Sequence, residues 1–170
     1  MKVLSSASIK TFGDTAPGEF VAFGRGSRNL GLVLKEQLGG RLIGMVTHDE
    51  EPHPQIVSAG QNNECMSFGS DWAIEPVHGD QSFPTLHTTL HSHIAGLLAL
   101  TKQGWLMSFA TTPPNRGRFP MQWWSLIDQK LVDVESAALF NSWKIWASPD
   151  DRERGAQELY SYTAKALPRD

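Results

Sequence analysis

Three histidines fall close together in Leu86-His-Thr-Thr-Leu-His-Ser-His93. On a strand, His87, His91 and His93 project from one face, because side chains alternate. On a helix only His87 and His91 share a face. A His-x-His pair on a strand spaces two imidazoles about 6.5–7 Å apart along the backbone, which suits Zn²⁺ or another divalent transition metal. A further ligand would have to come from His78, Asp80, Glu75 or Cys65, and no local spacing chooses among them. Neither HExxH nor a paired CxxC accompanies the cluster, so the plainer reading is a polar strand face with solvent-facing imidazoles.

A second candidate is Gly24-Arg-Gly-Ser-Arg-Asn29, where Arg25, Ser27, Arg28 and the backbone N–H groups could cradle an anion. It matches neither GxGxxG nor the GK[ST] ending of a phosphate loop. A strand is expected to follow it, so a plain hairpin turn explains it better. The third candidate is aromatic. Trp123 and Trp124 are adjacent, and on a strand they must face opposite sides. Both are core only if both sheet faces are covered; otherwise one, taken here as Trp124, meets a ligand or partner beside Arg116 and Arg118. Nucleophile patterns are poor. Gly69-Ser70-Asp71 is no nucleophile elbow, and an isolated Cys65 is more often a small buried hydrophobe than a catalytic thiol. The carboxylate pairs Glu50-Glu51 and Asp150-Asp151 are chain neighbours whose side chains diverge, and the second pair suits a helix start.

The bulk properties bound these options. A chain of 170 residues suits one domain, residues 1–170, and 40% hydrophobic content supplies an ordinary core. Fifteen Lys and Arg against 18 Asp and Glu leave a net charge of −3, too mild to make nucleic acid or an anionic membrane the main partner. One cysteine forms no internal disulfide. The start lacks the apolar run of a secretory signal, and the longest apolar stretch, Ile94 to Leu100, is far short of the ~20 residues that span a bilayer. A cytoplasmic protein is the expectation.

The elements that must hold the candidates are mostly strands. Leu30–Leu34 and Arg41–Thr47 flank Gly39-Gly40, a hairpin signal. Alternation predicts a strand over Gly104–Thr111, and Met121–Ile127 with Lys130–Val134 bracket Asp128-Gln129 as a second hairpin. Residues 85–103 fit strand and helix equally; 139–147 lean to strand. Ser148, Pro149, Asp150 and Asp151 form a helix start, and the apolar stripe Ala156, Leu159, Tyr160, Thr163, Leu167 extends the expected helix over about 149–167.

The expected fold is mainly β: a single domain of two packed antiparallel sheets or a flattened barrel, closed by one C-terminal helix. The expected function is a non-catalytic module binding a protein or small ligand through Trp124, Arg116 and Arg118, without a cofactor. One alternative is a zinc-type enzyme built on His87, His91 and His93, with metal-bound water as nucleophile. Another is a structural subunit of a larger assembly, a homo-oligomer included, paired through strand edges.

Overall fold

The Gly39-Gly40 hairpin forms as its residues demand. Strands β3 (Asn29–Gln37) and β4 (Gly40–Met45) pair antiparallel, and Gly39 takes the positive φ of +78° that the turn requires. In the computed structural model the described residues are 7–24, 29–47, 54–77, 85–87 (backbone alone), 95–111, 121–134 and 137–163. The other strands among them are β1 (Ser8–Thr11), β2 (Phe20–Phe23), β5 (Gln55–Gly60), β6 (Glu64–Ser67), β7 (Ala73–Pro76), β8 (Thr85–His87) and β9 (Leu98–Thr101). They continue as β10 (Gly104–Ala110), β11 (Met121–Ser125), β12 (Leu131–Val132), β13 (Ala137–Phe140), β14 (Ser142–Trp146) and β15 (Tyr160–Thr163). The protein is a β-rich, sandwich-like domain of two sheets that do not close.

One half of the larger sheet runs β1-β6-β2-β3-β4-β5, and the other is β12-β11-β10-β9-β13-β8. They join at β10. Leu106 and Met107 pair with β11 on one edge and β9 on the other, whereas Ala110 pairs with β11 and with Gln55 of β5. Strand β5 therefore takes over the edge that β9 leaves. The smaller sheet, β15-β14-β7, is reached where β13 passes through Asn141 into β14. The strand preference over 139–147 is borne out, with that corner splitting the run. Of the ambiguous 85–103, the described residues hold two strands, β8 and β9, with turns at Ala95-Gly96 and Lys102-Gln103, and no helix.

The C-terminal helix is shorter than the sequence pattern suggests. Ser148 caps it through the Asp151 N–H at 3.1 Å, and Pro149 starts it, but helix α1 (Pro149–Glu153) then stops. Gly155 follows at φ +68°, a conformation that ends helices readily, and Tyr160–Thr163 become a strand of the small sheet. The apolar stripe over 156–167 had a second reading: Tyr160 and Tyr162 also alternate. Tyr162 is buried against Trp143, with ring centroids 5.0 Å apart, and tertiary packing prevails over the helical spacing. Arg152 on α1 grips Glu75 on β7 in a two-pronged bond of 2.6 and 3.1 Å, holding Glu75 below the usual carboxylate range.

The core spans both halves. Phe20, Val46, Met107, Phe109, Trp123 and Trp143 are buried, and Phe68, Trp72, Trp105, Val132 and Leu159 pack against them half-buried. Val33 and Ile43 belong to a second cluster with Phe12 and Cys65.

At the corner between sheets the backbone approaches side chains closely. Gly96 has φ +79°, donates to the Ser108 carbonyl at 2.9 Å, and accepts the Trp143 indole N–H at 2.7 Å. A Cβ there would lie 2.6 Å from the Tyr162 ring and 2.7 Å from Pro54. Combining left-handed strain with overpacking, Gly96→Ala is expected to destabilise by about 3 kcal/mol in urea unfolding. A loss below about 0.5 kcal/mol would show that the corner repacks freely.

Candidate functional site

Strand β11 is buried on both faces: Trp123 is 8% exposed and Trp124 2%. Trp124 is therefore not presented on the open surface that the sequence left available to it. It sits opposite Met107 of β10 and Leu131 of β12, on the sheet face they share. Its indole N–H is one of two buried side-chain polar atoms with no partner among the described residues; the other is Asn141 Oδ1. An unmet buried donor costs about 1–3 kcal/mol, so its persistence calls for a reason.

Trp124 also lines an open cleft of ≈ 180 Å³. Its apolar walls are Leu32, Trp72, Ile74, Trp124 and Leu126, and its polar lining is Gly18, Ser70 and Gln129. These residues come from the turn before β2, from β3, from the Ser70–Ile74 segment and from the β11–β12 hairpin. All eight are uncharged.

Several contacts fix the walls of the cleft. The Trp72 indole donates to the Gly18 carbonyl at 2.9 Å, and its ring lies against Phe20 with centroids 5.4 Å apart. Both its polar atom and its tilt are thus set by protein. Gln129 has φ +53°, the one positive value at a non-glycine residue among the described residues. The expected hairpin does form, but its turn is longer than Asp128-Gln129. The Gln129 N–H reaches the Ser125 carbonyl at 3.0 Å, and the Ser125 hydroxyl accepts the Asp128 N–H at 3.0 Å. Gln129 thus closes that turn in a strained, left-handed conformation, with its side-chain amide against Gly18. A glycine or asparagine is the ordinary occupant of such a position.

Behind the cleft lies a buried carboxylate. Glu19 follows Gly18 in the chain and is 8% exposed. It accepts from the Ser67 hydroxyl at 2.5 Å, from Lys10 Nζ at 3.1 Å to each oxygen, and from the Ala16 N–H at 3.1 Å. The same Ser67 oxygen accepts the Gly69 N–H at 3.0 Å. Glu19 thereby ties together the two backbone segments that carry Gly18 and Ser70. Desolvation by burial raises its pKa, but the bonds from Ser67, Lys10 and Ala16 outweigh it and hold the carboxyl below its ordinary value. Cys65, opposite Lys10 on the paired strand β6, is buried. Burial and the Glu19 charge push its thiol up to about 11, which makes it a poor nucleophile at neutral pH.

The remaining sequence candidates divide simply. His87 ends the edge strand β8 opposite Ala137, while His91, His93, His78 and Asp80 lie outside the described residues. Of the proposed additional ligands, Glu75 is engaged by Arg152 and Cys65 is buried beside Lys10 and Glu19. Among the described residues no group of three or more His, Cys, Asp or Glu is placed to hold a metal ion. Arg116 and Arg118, like Arg25, Ser27 and Arg28, lie outside the described residues. No helix of the described residues is long and apolar enough to cross a membrane. Of the cleft residues the sequence pointed only to Trp124; a glutamine in a two-residue hairpin turn was the available sign of Gln129.

Known protein families, curated proteins and solved structures give no match to this chain.

The Glu19 network has a pH signature. A carboxyl whose folded pKa is lowered contributes stability that is complete above its unfolded pKa and is lost as pH falls through the folded value. The wild type should therefore lose stability progressively below about pH 4.5, and Glu19→Gln should flatten that limb while costing about 2 kcal/mol at pH 7. Parallel acid limbs in urea titrations of the two proteins would contradict the assignment.

Proposed function

We propose that the protein is a non-catalytic binding module whose ligand seats in the cleft between Trp72 and Trp124. The observation that carries this reading is a buried, unpartnered Trp124 indole N–H on a residue lining a cleft that is otherwise fixed by Trp72–Gly18 and strained Gln129. Strain and unmet polar groups concentrate where a protein uses them. The described lining supports binding over catalysis, since its eight residues bring no titratable group. Its volume of ≈ 180 Å³ is that of one ring-sized group, by comparison with a cavity of about 150 Å³ that takes benzene. The aromatic half of the expected surface, Trp124, thus keeps its place in this reading, as the inner wall of a cleft.

The test is a screen of neutral single-ring fragments, followed through the indole N–H resonances in ¹⁵N-labelled protein. Hits should shift the Trp72 and Trp124 signals together and lose their effect in Trp72→Ala. Gln129→Gly should weaken them as well without lowering the melting temperature, because relieved strain offsets the entropy glycine adds to the unfolded chain, each about 1 kcal/mol. Hits that shift other indoles alone, or that survive Trp72→Ala undiminished, would sink this reading.

A further inference from the structure

We infer that strand β1 is an acid-released latch: protonating the carboxylates that hold its side chains frees it from β6 while the rest of the larger sheet stays paired. Strand β1 ends that sheet, pairs with β6 alone, and buries little, with Ser8 exposed and Ile9 82% exposed. Among the described residues, every side-chain hydrogen bond made by Ser8–Thr11 ends on a carboxylate. Lys10 Nζ reaches both Glu19 oxygens at 3.1 Å, and the Thr11 hydroxyl donates to Asp14 Oδ2 at 2.7 Å. From Phe12 onward the chain is held by groups that acid leaves unchanged. The Phe12 ring is buried against Phe23, and the Gly13 N–H donates to the Gln61 carbonyl at 2.8 Å. Arg41 donates to the Gly13 and Thr15 carbonyls at 2.9 Å. The two kinds of anchor meet between Thr11 and Phe12, which places the hinge there.

Among the described residues, the charged and titratable groups facing Glu19 are Lys10 on β1 and Cys65 on β6. Burial and the Glu19 charge put that thiol up at about 11, so it stays neutral in acid. A protonated Glu19 no longer offsets the Lys10 ammonium, and the charge-assisted bonds are lost. Its bond to Ser67 survives, since a neutral carboxyl and a hydroxyl still pair. What remains on β1 is a four-residue ladder along one edge, and its opening bares the outer edge of β6. Burial raises the Glu19 pKa, but its bonds hold the carboxyl below the ordinary value. The latch is therefore fully closed above about pH 4.5 and opens as pH falls through the folded value.

Amide hydrogen exchange of the full chain, followed residue by residue by NMR, reads the latch directly. The Phe12 N–H reaches the Asn63 carbonyl at 2.9 Å, so Thr11–Glu64 is a wide pair and the next pair, Lys10–Cys65, exchanges backbone bonds. The amides of residues 10 and 65 therefore report β1. The Leu126 amide, bonded to the Trp105 carbonyl at 2.9 Å, reports the rest of the sheet. Between about pH 7 and about pH 3.5, protection at residues 10 and 65 should fall about tenfold or more relative to Leu126. Glu19→Gln, an uncharged stand-in for the protonated side chain, should show the lowered protection already at about pH 7. Lys10→Met keeps the stem of a half-exposed residue and removes its charge; it should do the same, with little further change in acid. Protection at residues 10 and 65 that follows Leu126 at every pH in the wild type would overturn the latch. So would a selective acid loss that persists undiminished in Lys10→Met.

Discussion

The Trp124 indole holds a polar hydrogen where the described residues offer it no acceptor. Everything built around the cleft follows from keeping that residue in place. Its strand is hydrogen-bonded on both edges, by β10 and β12, and covered on both faces, so the indole cannot swing out to water without dismantling the centre of the larger sheet. A donor trapped this way is a standing cost of folding.

The scaffold explains why the trap is stable. Strand β10 is shared by both halves of the larger sheet, with β9 and β5 taking successive stretches of one edge. The Trp143 indole and the Tyr162 hydroxyl, by contrast, are fully used. They donate to the Gly96 and Ala95 carbonyls at 2.7 and 3.0 Å and clamp the smaller sheet to the corner. Burial drives the Tyr162 pKa up to about 12, so the hydroxyl of that clamp stays protonated at neutral pH. The contrast between these satisfied aromatic donors and the unsatisfied one of Trp124, in the same core, is what the proposed binding reading rests on.

Much of the fold was legible because alternation is a local signal. The hairpin at Gly39, strand β10 and the split run at 137–146 each carry their pattern within a few residues. The C-terminal stretch misled because Ala156, Leu159, Tyr160 and Thr163 satisfy helical spacing, while the strand that forms is chosen by Trp143, residues away in sequence. The site was less legible for the same reason. Trp124 stood out by the pairing of two tryptophans, but Trp72, Ser70 and Gln129 reach it only through the sheet topology. The Glu19 network likewise joins residues 10, 19 and 67, which no motif connects. What one sequence does carry is the adjacent pair Trp123-Trp124, which a strand must split between its two faces.

A high-resolution crystal structure grown with a saturating neutral single-ring fragment is the most direct measurement. The cleft reading predicts a ring lying between Trp72 and Trp124, with Gln129 still at positive φ. An empty cleft with Trp124 Nε1 already bonded to an acceptor from the protein itself would contradict it, because the donor would then be part of the core.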